Sequence, residues 1–266
     1  MKTIRKKTTY KRPIHVKWPS KAEIKESFTS RFDVLPMMTV RKILKDTSIP
    51  KPSIDEVEKF LRETLLSSHR PSRERALEAV KTLIAYIGDD PSRPGLLKTP
   101  ERVIKAWEED WGKGYNKKFI QEQTLSILGA EFTDGAENYD QMICERNIPF
   151  SSFCEHHLAA IRGVAHVAYI PSKTKCKILG LSKLTRIVNM FSRRLQVQER
   201  LTNQIADFIQ IHCKPQGVGV VIKAEHDCML SRGVKSHGTD AVTSALRGDF
   251  LTESAVRAEF LALTRE

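Results

Sequence analysis

The sequence predicts an α+β fold in which a helical region precedes an antiparallel sheet backed by long helices. Three observations carry this. Between residues 54 and 107, apolar residues recur at helical spacing; from about residue 124 the apolar runs become short and strand-like; and a long helical tract from 180 to about 211 separates the earlier strands from two later ones.

Taken in order, residues 1–22 contain no acidic residue, and Lys2, Arg5, Lys6, Lys7, Lys11 and Arg12 crowd the start. Pro13, Pro19, Pro36, Pro50 and Pro52 interrupt the stretch up to residue 52, so residues 1–52 read as a basic, flexible extension. Organellar transit peptides are Arg- and Ser-rich and amphipathic; here Lys dominates and no stripe is evident. Ser53 with Glu56 makes a capping box, and Ile54, Val57, Phe60, Leu61 and Leu65 come after it at helical spacing. A second helix starts near Ser72, with Ala76, Val80, Leu83, Ile84 and Ile87 inward and Gly88 as its stop. In a third, Thr99 is the expected cap, Pro100 the first-turn residue, and Val103, Ile104 and Trp107 the buried face. The helical region is thus 53–120, and a domain of mixed strands and helices spans 121–266. Strands are expected at 125–128, 141–148 and 161–170. The helical tract opens at Gly180-Leu181-Ser182, carries Leu184, Ile187, Val188 and Phe191 as its stripe, and weakens near 193–196. Strands at 217–225 and 241–250 and a short helix with Ala255, Phe260 and Leu263 complete the chain.

The net charge is +12 over 266 residues. Residues 1–70 hold 17 Lys+Arg against 8 Asp+Glu, leaving only +3 for the rest. The basicity therefore belongs to the leader, which can touch RNA, anionic lipid or an acidic partner, and not to the remainder of the chain. No apolar run approaches the roughly 20 residues that span a bilayer, and no apolar h-region opens the chain. The cysteines, at 144, 154, 176, 213 and 228, are odd in number. They suit a reducing cytosol better than a disulfide framework.

The concentrated chemistry lies in Phe153-Cys154-Glu155-His156-His157. Cys154 and His157 have C-x₂-H spacing, which lets one tight turn aim a sulfur and a nitrogen at one ion. Taken alone, that spacing is often coincidence. Downstream, His226-Asp227-Cys228 offers a third donor. Two thiolates and one imidazole fill three positions of a tetrahedral zinc site and leave the fourth open, as catalytic sites do. Cys₂His also suits other borderline ions.

These residues sit within longer blocks. Ser152-Phe153-Cys154-Glu155-His156-His157-Leu158, Gly180-Leu181-Ser182-Lys183-Leu184-Thr185-Arg186-Ile187-Val188, and Arg193-Arg194-Leu195-Gln196-Val197-Gln198-Glu199-Arg200-Leu201-Thr202 resemble signature blocks of GTP cyclohydrolase I. His226-Asp227-Cys228-Met229, Arg232-Gly233-Val234 and Val242-Thr243-Ser244 come next in that family's order and spacing. The resemblance runs from about Ser72 to the C-terminus. It implies a tunnelling fold, a four-stranded antiparallel sheet with two long helices, assembled into a ring and then a homodecamer with active sites between subunits. It implies a cytoplasmic enzyme that converts GTP to 7,8-dihydroneopterin triphosphate and formate, feeding folate or another pterin-derived or deazapurine pathway. Cys154, His157 and Cys228 would bind Zn²⁺, and His156 and His226 would be the acid/base pair. Ser182, Lys183, Arg186 and Arg232 would hold the triphosphate, with Arg102 from a neighbouring subunit on the short Thr99-Pro100-Glu101-Arg102 match. Gln198 and Glu199 would sit at the purine end, a buried Glu199 reading the guanine edge.

The residue types suit that chemistry. Protonation at N7 makes purine C8 attackable, and imidazole titrates in the right range. Lys183 and Arg186, three apart, share a helix face, and Ser182 as N-cap would aim that helix's N-terminus at phosphate. Glu155 is left outside the site. Arg193, Arg194 and Arg200 read as surface or subunit contacts, His166, His212 and His237 as structural or exposed, and Cys144 and Cys213 as apolar fillers. The loop Ser172 to Lys177 is longer and more basic than the family's, and Ala159-Ala160 stand where bulkier residues are common. Two rivals differ in what they predict. A nucleic-acid-binding protein with a structural zinc would leave GTP untouched, and a silent GTP- or pterin-binding relative would lack at least one ligand or acid/base residue.

Overall fold

The computed structural model describes residues 71–128, 139–172 and 178–265. Their helices and strands all belong to the unit Arg73–Glu266. The extension 1–52, the Ser53–Glu56 box with its helix, and the loop residues 173–177 with Cys176 lie outside the described residues.

Helix α1 (Arg73–Tyr86) runs to the expected stop. Gly88 has φ +92°, a left-handed conformation that glycine adopts without strain. Its inward face is narrower than the periodicity suggests: Ile84 is buried, but Leu83 and Ile87 stand 60% and 71% exposed. Helix α2 (Thr99–Ala106) continues through a π-turn, Trp107–Trp111, and a 3₁₀ turn, Lys113–Tyr115. The expected Thr99 cap is not made. Lys98 holds the cap position with no side-chain bond, and Thr99 is already helical. Pro100 sits in the first turn as expected and is buried, where no donor is needed.

The strand expected at 125–128 is instead the end of helix α3 (Lys117–Leu128). Asn116 initiates it, its side-chain oxygen accepting from the Phe119 amide at 3.2 Å. Ile127 is fully buried while Leu125 is 66% exposed. That is burial of one helix face, against α4, and a four-residue window is too short to tell this from alternation.

Strand β1 (Ile143–Cys154) is longer than expected because a bulge between Glu145 and Ile148, with Asn147 at φ +54°, masks its pattern. Pro149 is tolerated because, among the described residues, β1 has a neighbour on one side only at that point. β2 (Ala160–Ile170) pairs antiparallel with β1. Helix α4 (Leu181–Ser192), the two-residue β3 (Leu195–Gln196), and α5 (Gln198–Phe208), which ends in a π-turn to Cys213, realise the broken helical tract. β4 (Gly217–His226), the single turn α6 (Asp227–Leu230), β5 (Ala241–Gly248), α7 (Asp249–Thr252) and α8 (Ser254–Thr264) complete the chain. Phe250, expected at the end of the last strand, belongs to α7.

The sheet order is β3-β1-β2-β4-β5. Four strands are antiparallel, and β3 adds two parallel residues beside Phe153 and Cys154. On one face α4 and α5 bury Leu184, Ile187, Val188, Leu201 and Ile205 against Val167, Val220 and Ile222. On the other, Phe250 and Phe260 pack edge-to-face at 5.3 Å over Ala168 and Ile170. At about 25 cal/mol per Å² of apolar area, these two layers hold the strand ends that carry the site.

Candidate active site

Three chain segments meet at one end of the sheet. β1 ends at Cys154, β2 begins opposite it, and β4 ends at His226, whose register partner is Ile161 of β2. After Cys154 the chain turns at once. His157 N and Leu158 N both donate to the Cys154 carbonyl, at 3.3 and 2.9 Å, and the Cys154 amide donates to Ala159 O at 2.8 Å. This hairpin turn, closed by Leu158 at φ +54°, folds His157 back onto its own strand. His157 Nδ1 lies 3.6 Å from Cys154 Sγ. Cys228, on α6, comes to the same point; the donor atoms of Cys154, His157 and Cys228 all lie within 4.8 Å of one another.

The donor set fits a metal. With zinc bonds of about 2.3 Å to sulfur and 2.0–2.1 Å to nitrogen in a tetrahedron, the sulfur–nitrogen edge should be about 3.6 Å, the separation observed. Burial, then the hydrogen bond to Cys154 and its charge, pushes the Cys228 thiol above its ordinary value. Two neighbouring thiolates in that setting need a cation between them.

Around this cluster the other expected residues divide into groups. His156 is exposed, with Nδ1 3.8 Å from Cys154 Sγ and Nε2 3.9 Å from Glu155 Oε1. His226 is half-buried, and burial lowers its ring below the ordinary histidine value, opposed by the charge of Glu199. Its Nε2 lies 2.7 Å from Gln198 Oε1. Gln198 is 3% exposed and its amide is fully engaged by protein atoms, whereas Glu199 beside it is exposed in the single chain, against the expectation of burial. Arg232 stands exposed four residues after Cys228.

Ser182, Lys183 and Arg186 lie elsewhere. The cap residue of α4 is Gly180; Ser182 is the second helical residue and makes no cap bond, so its expected capping role is corrected. Lys183 Nζ reaches Ser126 Oγ at 3.1 Å and Arg186 reaches Gln123 Oε1 at 3.1 Å, tethering both to α3. Just before α4, Leu179 N donates to Tyr169 OH at 2.7 Å, at the far end of β2. β2 has 11 residues, so that end is about 30 Å of strand from the cysteine end. Helix α4 returns over about 18 Å to β3 beside Cys154. Within one protomer the phosphate candidates on α4 and the metal candidates therefore face different ends of the sheet. Arg102 stands exposed on α2.

Some supporting residues carry no obvious mark in the sequence. Glu155 pairs with Arg200, which also donates to Gln196 Oε1 at 3.0 Å, tying the ligand turn to β3 and α5. Phe153 packs between Trp107 and Trp111, ring centroids 4.8 and 4.9 Å away. Arg194, expected at the surface, is 7% exposed and lies over the Phe191 ring. Charge complementarity between Glu155 and Arg200 is the one available signal; the aromatic stack has none. His166 and Cys213 are buried as expected of structural residues.

Comparison with known proteins agrees with this arrangement. A family model described as GTP cyclohydrolase I matches residues 76–265. A GTP cyclohydrolase 1 of Maricaulis maris is 46% identical over 194 residues, covering 73% of this chain and 90% of its own. One of Nitrosospira multiformis is 49% identical over 181 residues, covering 68% and 90%. One of Brucella suis is 41% identical over 222 residues, covering 83% and 95%. Both the length of the match and the level of identity place this chain in the GTP cyclohydrolase I family.

Proposed function

We propose that this protein is a zinc-dependent GTP cyclohydrolase I, hydrolysing and rearranging GTP to 7,8-dihydroneopterin triphosphate and formate at the head of a folate- or other pterin-type pathway. The observation that carries the chemistry is the convergence of Cys154, His157 and Cys228 beside His156 and His226. Cys154, His157 and Cys228 would hold the zinc ion, which would supply Lewis acidity and make a water ionisable near neutral pH. His156 and His226 hold and move the protons that N7 and the attacking oxygen exchange. Glu199 accepts from N1–H and the 2-amino group of guanine, a pattern that adenine cannot satisfy. Ser182, Lys183, Arg186, Arg232 and Arg102 neutralise the triphosphate.

The split between metal and phosphate candidates supports sites shared between subunits, and so a tunnelling fold closed into a ring, with the decamer as its assembly. β5, the outer strand of the sheet among the described residues, and an exposed Glu199 are what such closure would cover. The organisation we infer is the extension 1–52, a helical region from 53 that closes with α3 (Lys117–Leu128), across the expected border at 120, and a catalytic domain from there to 266. No helix among the described residues is long and apolar enough to cross a membrane, and we infer a cytoplasmic enzyme.

The test is turnover. Metal-analysed protein is incubated with GTP, with and without a chelator, and products are followed by mass spectrometry and pterin absorbance. Formate and dihydroneopterin triphosphate, lost on chelation and absent with ATP, are expected. GTP binding without product would reject the catalytic reading.

A further inference from the structure

Gln198 opens α5 with a side chain that is 3% exposed and accounted for at both ends. Its Nε2 lies 2.9 Å from Ala241 O, 3.1 Å from Ile222 O and 3.1 Å from Thr243 Oγ1. Its Oε1 lies 2.7 Å from His226 Nε2. The two ends of an amide cannot be told apart by shape, but here their partners decide. Two of the three atoms around Nε2 are backbone carbonyl oxygens, which only accept. Turned over, the amide would set its own oxygen against both of them with no hydrogen between, stranding a buried polar group at a cost of about 1–3 kcal/mol. Oε1 is therefore the end that faces His226, and an oxygen acceptor there requires a ring N–H. The neutral ring must carry its hydrogen on Nε2, leaving the lone pair on Nδ1.

Other atoms hold this arrangement in place. Thr202 Oγ1 donates to the Gln198 carbonyl at 2.7 Å and lies 2.7 Å from Thr243 Oγ1. Ile222 and Thr243 are register partners across β4 and β5, so the acceptors for the amide are fixed by the sheet. Arg162 pins Asp227, next after His226, by an ion pair at 3.1 Å.

Resting on the reading of His226 as an acid/base residue, we propose that Gln198 is a positioning residue that fixes the His226 tautomer and not a contact to the purine base. It acts through the ring: Nδ1 is the atom presented as proton acceptor, while Nε2 is held by protein. A buried carboxylate performs the same service for the histidine of serine hydrolases, where the wrong tautomer is costly although geometry survives. An amide does so here without adding charge near the two thiolates.

Neutron diffraction from crystals of the full-length protein, grown about two pH units above the ordinary histidine value, reads the tautomer with no substitution. A deuteron on Nε2 and none on Nδ1 is expected; a deuteron on Nδ1 alone would overturn the lock. Kinetics then separate the roles. Gln198→Met removes the acceptor while keeping length and apolar bulk. It should lower kcat on the order of 10²–10⁴-fold with KM for GTP unchanged. A raised KM with kcat preserved would return Gln198 to the purine site. Unchanged turnover with the deuteron found on Nε2 would instead remove His226 from catalysis.

Discussion

Cys154, Cys228 and His157 come from a turn and a helical turn separated by more than 70 positions in sequence, yet their donor atoms form a set within 4.8 Å. Removing one donor leaves two, which cannot hold a divalent ion against water and competing chelators. Cys228→Ser should therefore lose both metal and turnover, measured as zinc per protomer and pterin formation; full metal retention would remove Cys228 from the ligand set. His156 behaves differently because it stands outside that donor set, although its Nδ1 lies 3.8 Å from Cys154 Sγ. His156→Ala should keep zinc and GTP affinity while kcat falls on the order of 10²–10⁴-fold, the usual weight of a positioned proton-transfer group. Equal loss of zinc and turnover in that variant would instead make His156 a ligand.

Among the elements, the turn Lys113–Tyr115 has most influence on the site for its size. Gly114 N donates to Arg193 O at 2.9 Å, and Leu195 N donates to Tyr115 OH at 3.0 Å. These two bonds hold the α4–β3 corner, which in turn sets Gln196 beside Cys154. A Cβ on Gly114 would meet Arg193 O at 2.6 Å and Met190 O at 2.8 Å, both backbone atoms that cannot yield alone. Gly114→Ala should therefore destabilise by about 1–3 kcal/mol, as overpacking does, seen as a lowered Tm with reduced metal affinity. An unchanged Tm would show that the corner is free to move. Much of this level is legible in sequence. Pro171 ends β2 and Gly88 ends α1 because those residues act locally, and C-x₂-H speaks for itself because four residues make one turn. The end of α3 reads as a strand because Leu125, Ile127 and Leu128 suit either period until Asn116 starts the helix. β3 is invisible, since two residues carry no period and only Cys154 makes them a strand. Thr99 and Ser182 look like caps, but each falls one or two residues inside its helix. Gln198 reads as a contact to the base because its partners lie in β4 and β5, 24 and 43 positions away, a distance that no local pattern reports.

For the whole molecule, the decisive fact is where charge and metal donors fall along α4 and β2. Ser182, Lys183 and Arg186 stand at the Tyr169 end, Cys154 and His226 at the other. From the β3 corner Arg186 lies about 9 Å and Lys183 about 14 Å back along α4, beyond the step from His226 to that corner, so one nucleotide bound at C8 beside His226 does not bring its triphosphate to both. If the site is completed by a second protomer, two differently damaged protomers can complement each other. Cys228→Ser abolishes the metal end and Lys183→Ala weakens the phosphate end, so each homo-oligomer should be inactive or nearly so. In a ring assembled from equal amounts of both, random mixing leaves about one site in four with an intact metal half and an intact phosphate half. Co-expressed variants should thus recover about a quarter of wild-type kcat per site, while the same proteins purified separately and mixed without exchange recover none. Recovery that tracks subunit exchange would establish sites shared between protomers. Absence of recovery in verified mixed rings would mean that each protomer holds its triphosphate with its own residues, and Arg232, four residues after Cys228, would then become the principal anion contact.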